Sequence, residues 1–187
     1  MDQYKYFSYL KTRTKLGYFY RKFFLYPKIN QFTKGEILDV GCGIGDYLSL
    51  TPNSTGIDIN EFNIKYVTDI GLKAFLLKDE IFPFSADSFN SVVLDNVIEH
   101  LTSPKSLLSE IKRVLKKDGN LIIGIPGIKG YSLDDDHKNF YTLETLKNLM
   151  EKFGFAQIAF FHTPLNFIFF SKYLSRFATY SIFKNTG

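Results

Sequence analysis

The stretch Ile37-Leu38-Asp39-Val40-Gly41-Cys42-Gly43-Ile44-Gly45 constrains this chain more than any other. Its first four residues read as a buried strand, and glycine then recurs at positions 41, 43 and 45. Glycine enters the left-handed region without a Cβ penalty and lets a ligand approach the backbone closely. A strand feeding such a turn, with a helix expected from about Asp46, begins an α/β domain. Domains of that kind cradle a nucleotide-like ligand at the carboxyl ends of their strands.

Downstream, short apolar runs alternate with longer amphipathic ones, the pattern of a mostly parallel sheet covered by helices. After the first strand, further strands are expected at 55–59, 75–77, 91–94, 120–125 and 155–162, with a short last one at 180–183. Helices are expected from about Ser103 to Asp118-Gly119, from Thr142 to Phe153, and over 167–178. The start Thr142-x-x-Thr145 lacks the Glu of a full capping box.

The 187 residues suffice for one domain with a sizeable core. Residues 1–34 differ in kind from the rest. They hold Lys5, Lys11, Arg13, Lys15, Arg21, Lys22, Lys28 and Lys34 against the single acid Asp2, interleaved with Tyr and Phe. This segment reads as one or two amphipathic helices broken near Gly17 and Pro27, a cap on a domain spanning 35–187. The net charge of +4 is thus local, and an anionic partner for the segment is one implication. Cys42 is the sole cysteine, which excludes an intrachain disulfide and a multi-thiolate zinc site. No run reaches the ~18 apolar residues of a membrane span. The basic N-terminus has no apolar core of the kind a secretory leader needs, so a cytoplasmic setting is expected.

Glycine spacing separates two ligand classes. Dinucleotide folds use Gly-x-Gly-x-x-Gly and place a pyrophosphate at a helix N-terminus. Here the acid Asp39 stands beside the loop, poorly placed for a pyrophosphate and well placed for an ammonium or sulfonium group. Asp58, 17 residues past Gly41, falls at the end of the second strand, where an acid accepts both hydroxyls of a ribose.

Asp39-Val40-Gly41-Cys42-Gly43-Ile44-Gly45 resembles the first motif of the class I S-adenosylmethionine-dependent methyltransferases, and the resemblance extends over roughly residues 35–162. It implies a Rossmann-like, doubly wound, mostly parallel sheet of seven strands flanked by helices, the last strand being short or absent. It also implies S-adenosylmethionine as cofactor and S-adenosylhomocysteine as product. The residues carried over as cofactor-binding are Asp39, Gly41, Cys42, Gly43, Gly45, Asp58, Ile59, Asp79 and Asn96. Asp79 is the match for the group that holds the adenine amino group, with Glu80 as its rival.

Val92 to Leu101 is similar to the family's fourth-strand motif with its Glu-His-Leu ending. His100 is either a packing residue or a group near the transferred methyl, and Glu99 is read as structural. His137-x-x-Phe140-Tyr141-Thr142 resembles an element of small-molecule members that lies over the pocket mouth. His137 is therefore the leading general-base candidate, with a loop-capping role as the alternative. No metal site is expected; the run Asp134-Asp135-Asp136 reads as a solvated loop.

The resemblance favours O-methylation of a small or lipid-linked acceptor such as a saccharide. Two alternatives stand beside it: an RNA methyltransferase using the basic N-terminal segment, and a non-catalytic cofactor-binding relative. The N-terminal segment reads in three ways: as a lid in which Phe7, Leu10, Phe19, Phe23 and Phe24 close the pocket, as a peripheral contact with an anionic membrane surface, and as an RNA contact, ranked in that order.

Overall fold

The computed structural model describes residues 2–12 and 14–187; Arg13, counted above among the N-terminal basic residues, lies outside them. The strands β1 (Ile37–Val40), β2 (Ser54–Asp58), β3 (Ala74–Leu76), β4 (Phe89–Asp95), β5 (Leu115–Pro126), β6 (Phe155–Thr163) and β7 (Ala178–Asn185) form one sheet. Its order is β3-β2-β1-β4-β5-β7-β6. All pairs are parallel except those of β7, which runs antiparallel to both β5 and β6. The order reverses between β1 and β4, and the crevice beyond their carboxyl ends is where such sheets bind ligands.

Strands covered on both faces read as apolar runs, and Val92-Val93-Leu94 and Leu121-Ile122-Ile123 are fully buried. On one face, α5 (Lys105–Val114) and α7 (Leu143–Glu151) pack Leu108, Ile111, Val114, Leu146 and Met150 against the sheet. On the other, the N-terminal helices supply Leu25, Tyr26 and Ile29 against Val93, Ile122 and Tyr180.

That second face corrects the first expectation. No α-helix follows the glycine turn; a single 3₁₀ turn at Leu48–Leu50 is all that bridges β1 to β2. Three glycines and Pro52 leave that connection too short a run for a helix. The N-terminal chain covers the face instead, with Tyr26 edge-on to Tyr47 at 5.3 Å.

The N-terminal segment comprises α1 (Gln3–Lys11), α2 (Lys15–Tyr20) and α3 (Tyr26–Asn30), α2 and α3 being joined through a π-helical turn at Arg21–Leu25. It does not break at Gly17 or Pro27. The interruption lies between α1 and α2, where the Thr14 hydroxyl accepts from the Gly17 N–H to start α2. Pro27 lacks an N–H and crowds the carbonyl four residues earlier. The helix widens there, the Tyr26 N–H reaching back to the Arg21 carbonyl, and then continues.

Three further expectations change. The last strand is neither short nor absent: β7 lies inside the sheet, with Thr179 and Ser181 buried alongside Tyr180 and Ile182. The stretch expected to be helical over 167–178 holds only a 3₁₀ turn at Ile168–Lys172, with Ala178 already in β7. The helix before β5 stops at Val114 rather than at Asp118-Gly119. Thr145 also replaces the missing Glu of the capping box. Its hydroxyl accepts from the Thr142 N–H at 2.9 Å, while its own N–H donates to the Thr142 hydroxyl at 3.1 Å.

Candidate functional site

The loop after β1 is built by positive backbone angles at Gly41 (φ 76°), Gly43 (φ 54°) and Gly45 (φ 79°). Side-chain residues rarely hold such angles. At Gly41 a Cβ would stand 2.5 Å from Val97 Cγ2. Asp58, at the end of β2, ties the loop down: Oδ2 accepts from the Gly43 N–H at 2.8 Å and from Asn63 Nδ2 at 3.3 Å. Its Oδ1 accepts from the Asn60 N–H at 2.8 Å. Burial raises the Asp58 carboxyl above its ordinary value, and those N–H donors oppose the shift.

Two adjoining cavities open at the carboxyl ends of the strands and share Gly41, Asp58, Ile59, Val97 and Leu101. One, of about 560 Å³, runs over Ile57 to Lys78, Asp79, Glu80 and Ser106. The other, of about 320 Å³, reaches Asp39, Cys42, Gly43, Asn96 and His100. A divided crevice of this size suits an elongated ligand with one base-like end and one charged end.

Of the residues singled out from sequence, Asp39, Gly41, Cys42, Gly43, Asp58, Ile59 and Asn96 line the smaller cavity. Asp79 lines the larger, beside Glu80. Gly45 lines neither; it shapes the loop against Val67 and Leu72. Asp39 is buried, and burial followed by Asp95, Asp58 and Asp46 pushes its carboxyl well above the ordinary range. A cation brought beside it has an acid ready to ionise.

The smaller cavity holds residues that the sequence reading passed over. Asp95 accepts from Tyr180 Oη at 2.6 Å and from Asn96 Nδ2 at 2.9 Å. Arg21 reaches in from the π-helical turn, donating to Tyr26 Oη at 3.3 Å. Tyr6 of α1 closes the cavity from above, next to Leu10, which the lid reading of the sequence already includes. Asp95 was findable, since it ends a strand next to Asn96. Arg21 and Tyr6 were not, because their approach depends on how the N-terminal helices fold back.

The two candidate catalytic histidines meet. Their ring centroids are 4.6 Å apart, because the loop after α6 (Ile128–Tyr131) docks onto the 3₁₀ turn Ile98–His100. The N–H groups of Lys138 and Asn139 both donate to the Glu99 carbonyl, at 2.7 and 3.0 Å. His100 lies on the cavity wall with Asp134 and Asp136. His137, the leading base candidate, stands one layer behind: its Nδ1–H donates to the Tyr131 carbonyl at 2.8 Å, and its Nε2 faces Glu99 and Asp134. Burial, then the neighbouring His137, lowers the His100 pKa. Burial pushes the Glu99 carboxyl up to about 8.

The residues fit S-adenosylmethionine. Asp58 and Ile59 lie where the two cavities join, the place for a ribose. Asp79 and Glu80 stand in the larger cavity, for the adenine. Asp39 stands in the smaller for the ammonium, and Arg21, the one cation among its described lining residues, suits the carboxylate. A doubly wound sheet with such a site defines an adenosyl-cofactor domain. The methyltransferase-domain family matches residues 10–159. The chain belongs to that family, the class I Rossmann-like methyltransferases with S-adenosylmethionine as cofactor.

Among its relatives, the tRNA U34 carboxymethyltransferase of Nautilia profundicola is 32% identical over 72% of this chain and 51% of its own length. The ubiquinone biosynthesis O-methyltransferase of Rickettsia conorii is 34% identical over 50% of this chain and 36% of its own. The chain thus spans about half or less of the curated relatives it matches. In fold, it superposes on an S-adenosylmethionine-dependent methyltransferase from Archaeoglobus fulgidus with a TM-score of 0.67 at 23% identity, covering 91% of this chain and all of the other.

Proposed function

We propose that this protein methylates a hydroxyl oxygen of an uncharged small-molecule or lipid-linked acceptor of saccharide type. One observation carries the reading: acids including Asp39, Asp58, Asp95 and Asp134 line the smaller cavity, with Arg21 the one cation among its described lining residues. The ionised acids of this partly desolvated crevice repel a carboxylate or phosphate, and carboxyl oxygens accept hydrogen bonds from hydroxyl donors. That electrostatic balance favours a polyol over an RNA acceptor.

S-adenosylmethionine supplies an activated methyl carbon for in-line displacement. The chain's part is alignment and exclusion of water. Asp39, Asp58 and Asp79 fix the cofactor's three ends, while Tyr6 and Leu10 cover the crevice. The acceptor hydroxyl enters along the wall of His100, Asp134 and Asp136, and its proton is lost on that side.

A lipid-linked acceptor is supported by the outer surface of the cap. Leu16, Phe19, Phe23 and Phe24 are exposed on the α2 segment, and Phe167, Ile168 and Phe169 on the loop before β7. Arg176 Nη2 meets Thr14 Oγ1 at 3.4 Å and brings the two segments together. Exposed aromatics flanked by Lys15, Lys22 and Lys172 suit an anionic bilayer interface.

The test is methyl transfer from labelled S-adenosylmethionine to panels of free saccharides, lipid-linked saccharides, carboxylates and transfer RNA. Methylated hydroxyls on uncharged acceptors are expected. Turnover on RNA or carboxylates alone would overturn the reading. Co-sedimentation with phosphatidylglycerol vesicles, weakened by Phe24→Ser with Phe169→Ser, tests the membrane contact; equal binding by both proteins counts against it.

A further inference from the structure

Glu99 is 1% exposed, and neither carboxylate oxygen has a hydrogen-bond partner among the described residues. A carboxylate desolvated in this way is costly unless a cation or proton sits on it. Among the described residues, no Lys or Arg answers it. Two imidazoles do: a carboxylate oxygen of Glu99 and one ring nitrogen each of His100 and His137 lie within 4.8 Å of one another. His137 Nε2 is 3.9 Å from Glu99 Oε1.

His137 is oriented as a ligand rather than as a packing group. His137 spends its Nδ1–H on the Tyr131 carbonyl, which leaves Nε2 turned to the cluster with a free lone pair. The His100 ring stands 4.6 Å from that of His137, centroid to centroid. Asp134 Oδ2 stands 3.9 Å from the same His137 Nε2, half out in solvent at the cavity rim. Tyr131 stacks on His137 at 5.0 Å and 16°, holding the ring plane.

We propose that Glu99, His100 and His137 bind a divalent transition-metal ion whose open side faces the acceptor half of the smaller cavity. Two imidazole nitrogens and one carboxylate select zinc-like ions over magnesium or calcium, which prefer oxygen donors. At bond lengths of ~2.1 Å, tetrahedral donors stand roughly 3.4 Å apart. The cluster therefore closes by about an ångström on loading, a motion that side-chain rotation of His100 and Glu99 supplies.

The ion's role rests on the hydroxyl-acceptor reading. An acceptor oxygen that takes the open position gives up its proton to water at a lower pH. The oxygen then forms its bond to the methyl carbon as the carbon–sulfur bond breaks. Three side chains at and behind the cavity wall thereby act on the acceptor. The ion also neutralises the Glu99 charge and part of the field of the Asp row.

The experiment is a titration of metal-stripped protein with Co²⁺, followed by its visible absorption and reversed by added Zn²⁺. One Co²⁺ per chain with micromolar affinity is expected, weakened at least tenfold in Glu99→Gln and in His137→Asn. S-adenosylmethionine binding by each variant reports that the fold survives. Absence of stoichiometric Co²⁺ binding, or affinity unchanged in both variants, overturns the proposal. Co²⁺ bound by the wild type without any hydroxyl turnover supports the site and sinks the O-methylation reading instead. Full hydroxyl methylation by metal-stripped protein, unaffected by Zn²⁺, removes the ion from the reaction.

Discussion

Asp58 Oδ2 accepts the Gly43 N–H at 2.8 Å, so the acid at the end of β2 builds the glycine loop as well as lining both cavities. Replacing it by Ala orphans the N–H groups of Gly43 and Asn60 and the amide of Asn63. Relief of its buried charge offsets part of that cost. A net loss of about 1–2 kcal/mol in apo stability is expected, measured by urea unfolding. S-adenosylmethionine affinity falls roughly 100-fold, from lost charge-assisted bonds of ~1.5–3 kcal/mol, measured by calorimetry. Wild-type affinity in Asp58→Ala would show that the ribose is held elsewhere.

Much of this site was legible because it sits on the regular part of the fold. Asp39, Gly41, Asp58 and Asn96 each terminate a parallel strand or begin the loop after it, and strand ends can be read from apolar runs. His100 and His137 carried a family resemblance, but their contact required the loop docking of Lys138 and Asn139 onto Glu99. Glu99 was read as structural, since burial of an acid without a partner leaves no trace in a single sequence. β7 was underestimated for a physical reason: its polar Thr179 and Ser181 are buried between two strands, so its apolar pattern is interrupted. The missing helix after Gly45 was a different kind of miss. Covering that face from the N-terminus is a choice made by packing, which local propensity does not reveal.

Gly41→Ala tests how tightly the loop is drawn. The residue holds φ 76°, and the added methyl meets Val97 Cγ2 at 2.5 Å. Left-handed strain alone costs about 1–2 kcal/mol, and Val97 can retreat only into the wall shared by both cavities. Thermal unfolding should drop by several degrees, and cofactor affinity by roughly tenfold or more. Gly71→Ala is the control: it also has positive φ (82°) but nothing within 4 Å of its added Cβ. It should cost stability without touching cofactor binding. Equal binding losses in the two variants would remove the steric argument.

α1 is expected to act as a cover that the cofactor needs. Gln3 brackets the turn after Asp58, its carbonyl accepting from Asn60 Nδ2 at 2.8 Å and its Nε2 donating to the Ile59 carbonyl at 3.2 Å. Leu10, 3% exposed, lies over Gly43. Deleting residues 1–12 leaves the sheet and the Tyr26–Tyr47 contact in place, so circular dichroism should lose only the signal of the nine-residue helix α1. S-adenosylmethionine should bind at least tenfold more weakly and dissociate faster. Unchanged dissociation by stopped-flow would show that α1 is no lid.

Asp39 couples cofactor binding to pH. Burial raises its carboxyl above the unfolded value, so the folded apo protein holds a proton that the unfolded chain gives up. Stability therefore falls as pH rises through the window between the unfolded and folded values. Asp39→Asn, with no charge to bury, should flatten that decline and unfold at a higher temperature than wild type at neutral pH. The cationic cofactor reverses the balance by favouring the ionised acid. Binding should release a proton, and affinity should climb with pH until Asp39 is ionised in the free protein. Calorimetry of S-adenosylmethionine binding in buffers of different ionisation heat reads the released proton directly. In Asp39→Asn that release should disappear and affinity should fall about 10- to 100-fold, as expected for one charged hydrogen bond. Proton release of equal size in the variant would place the titrating group elsewhere among the cavity's acids.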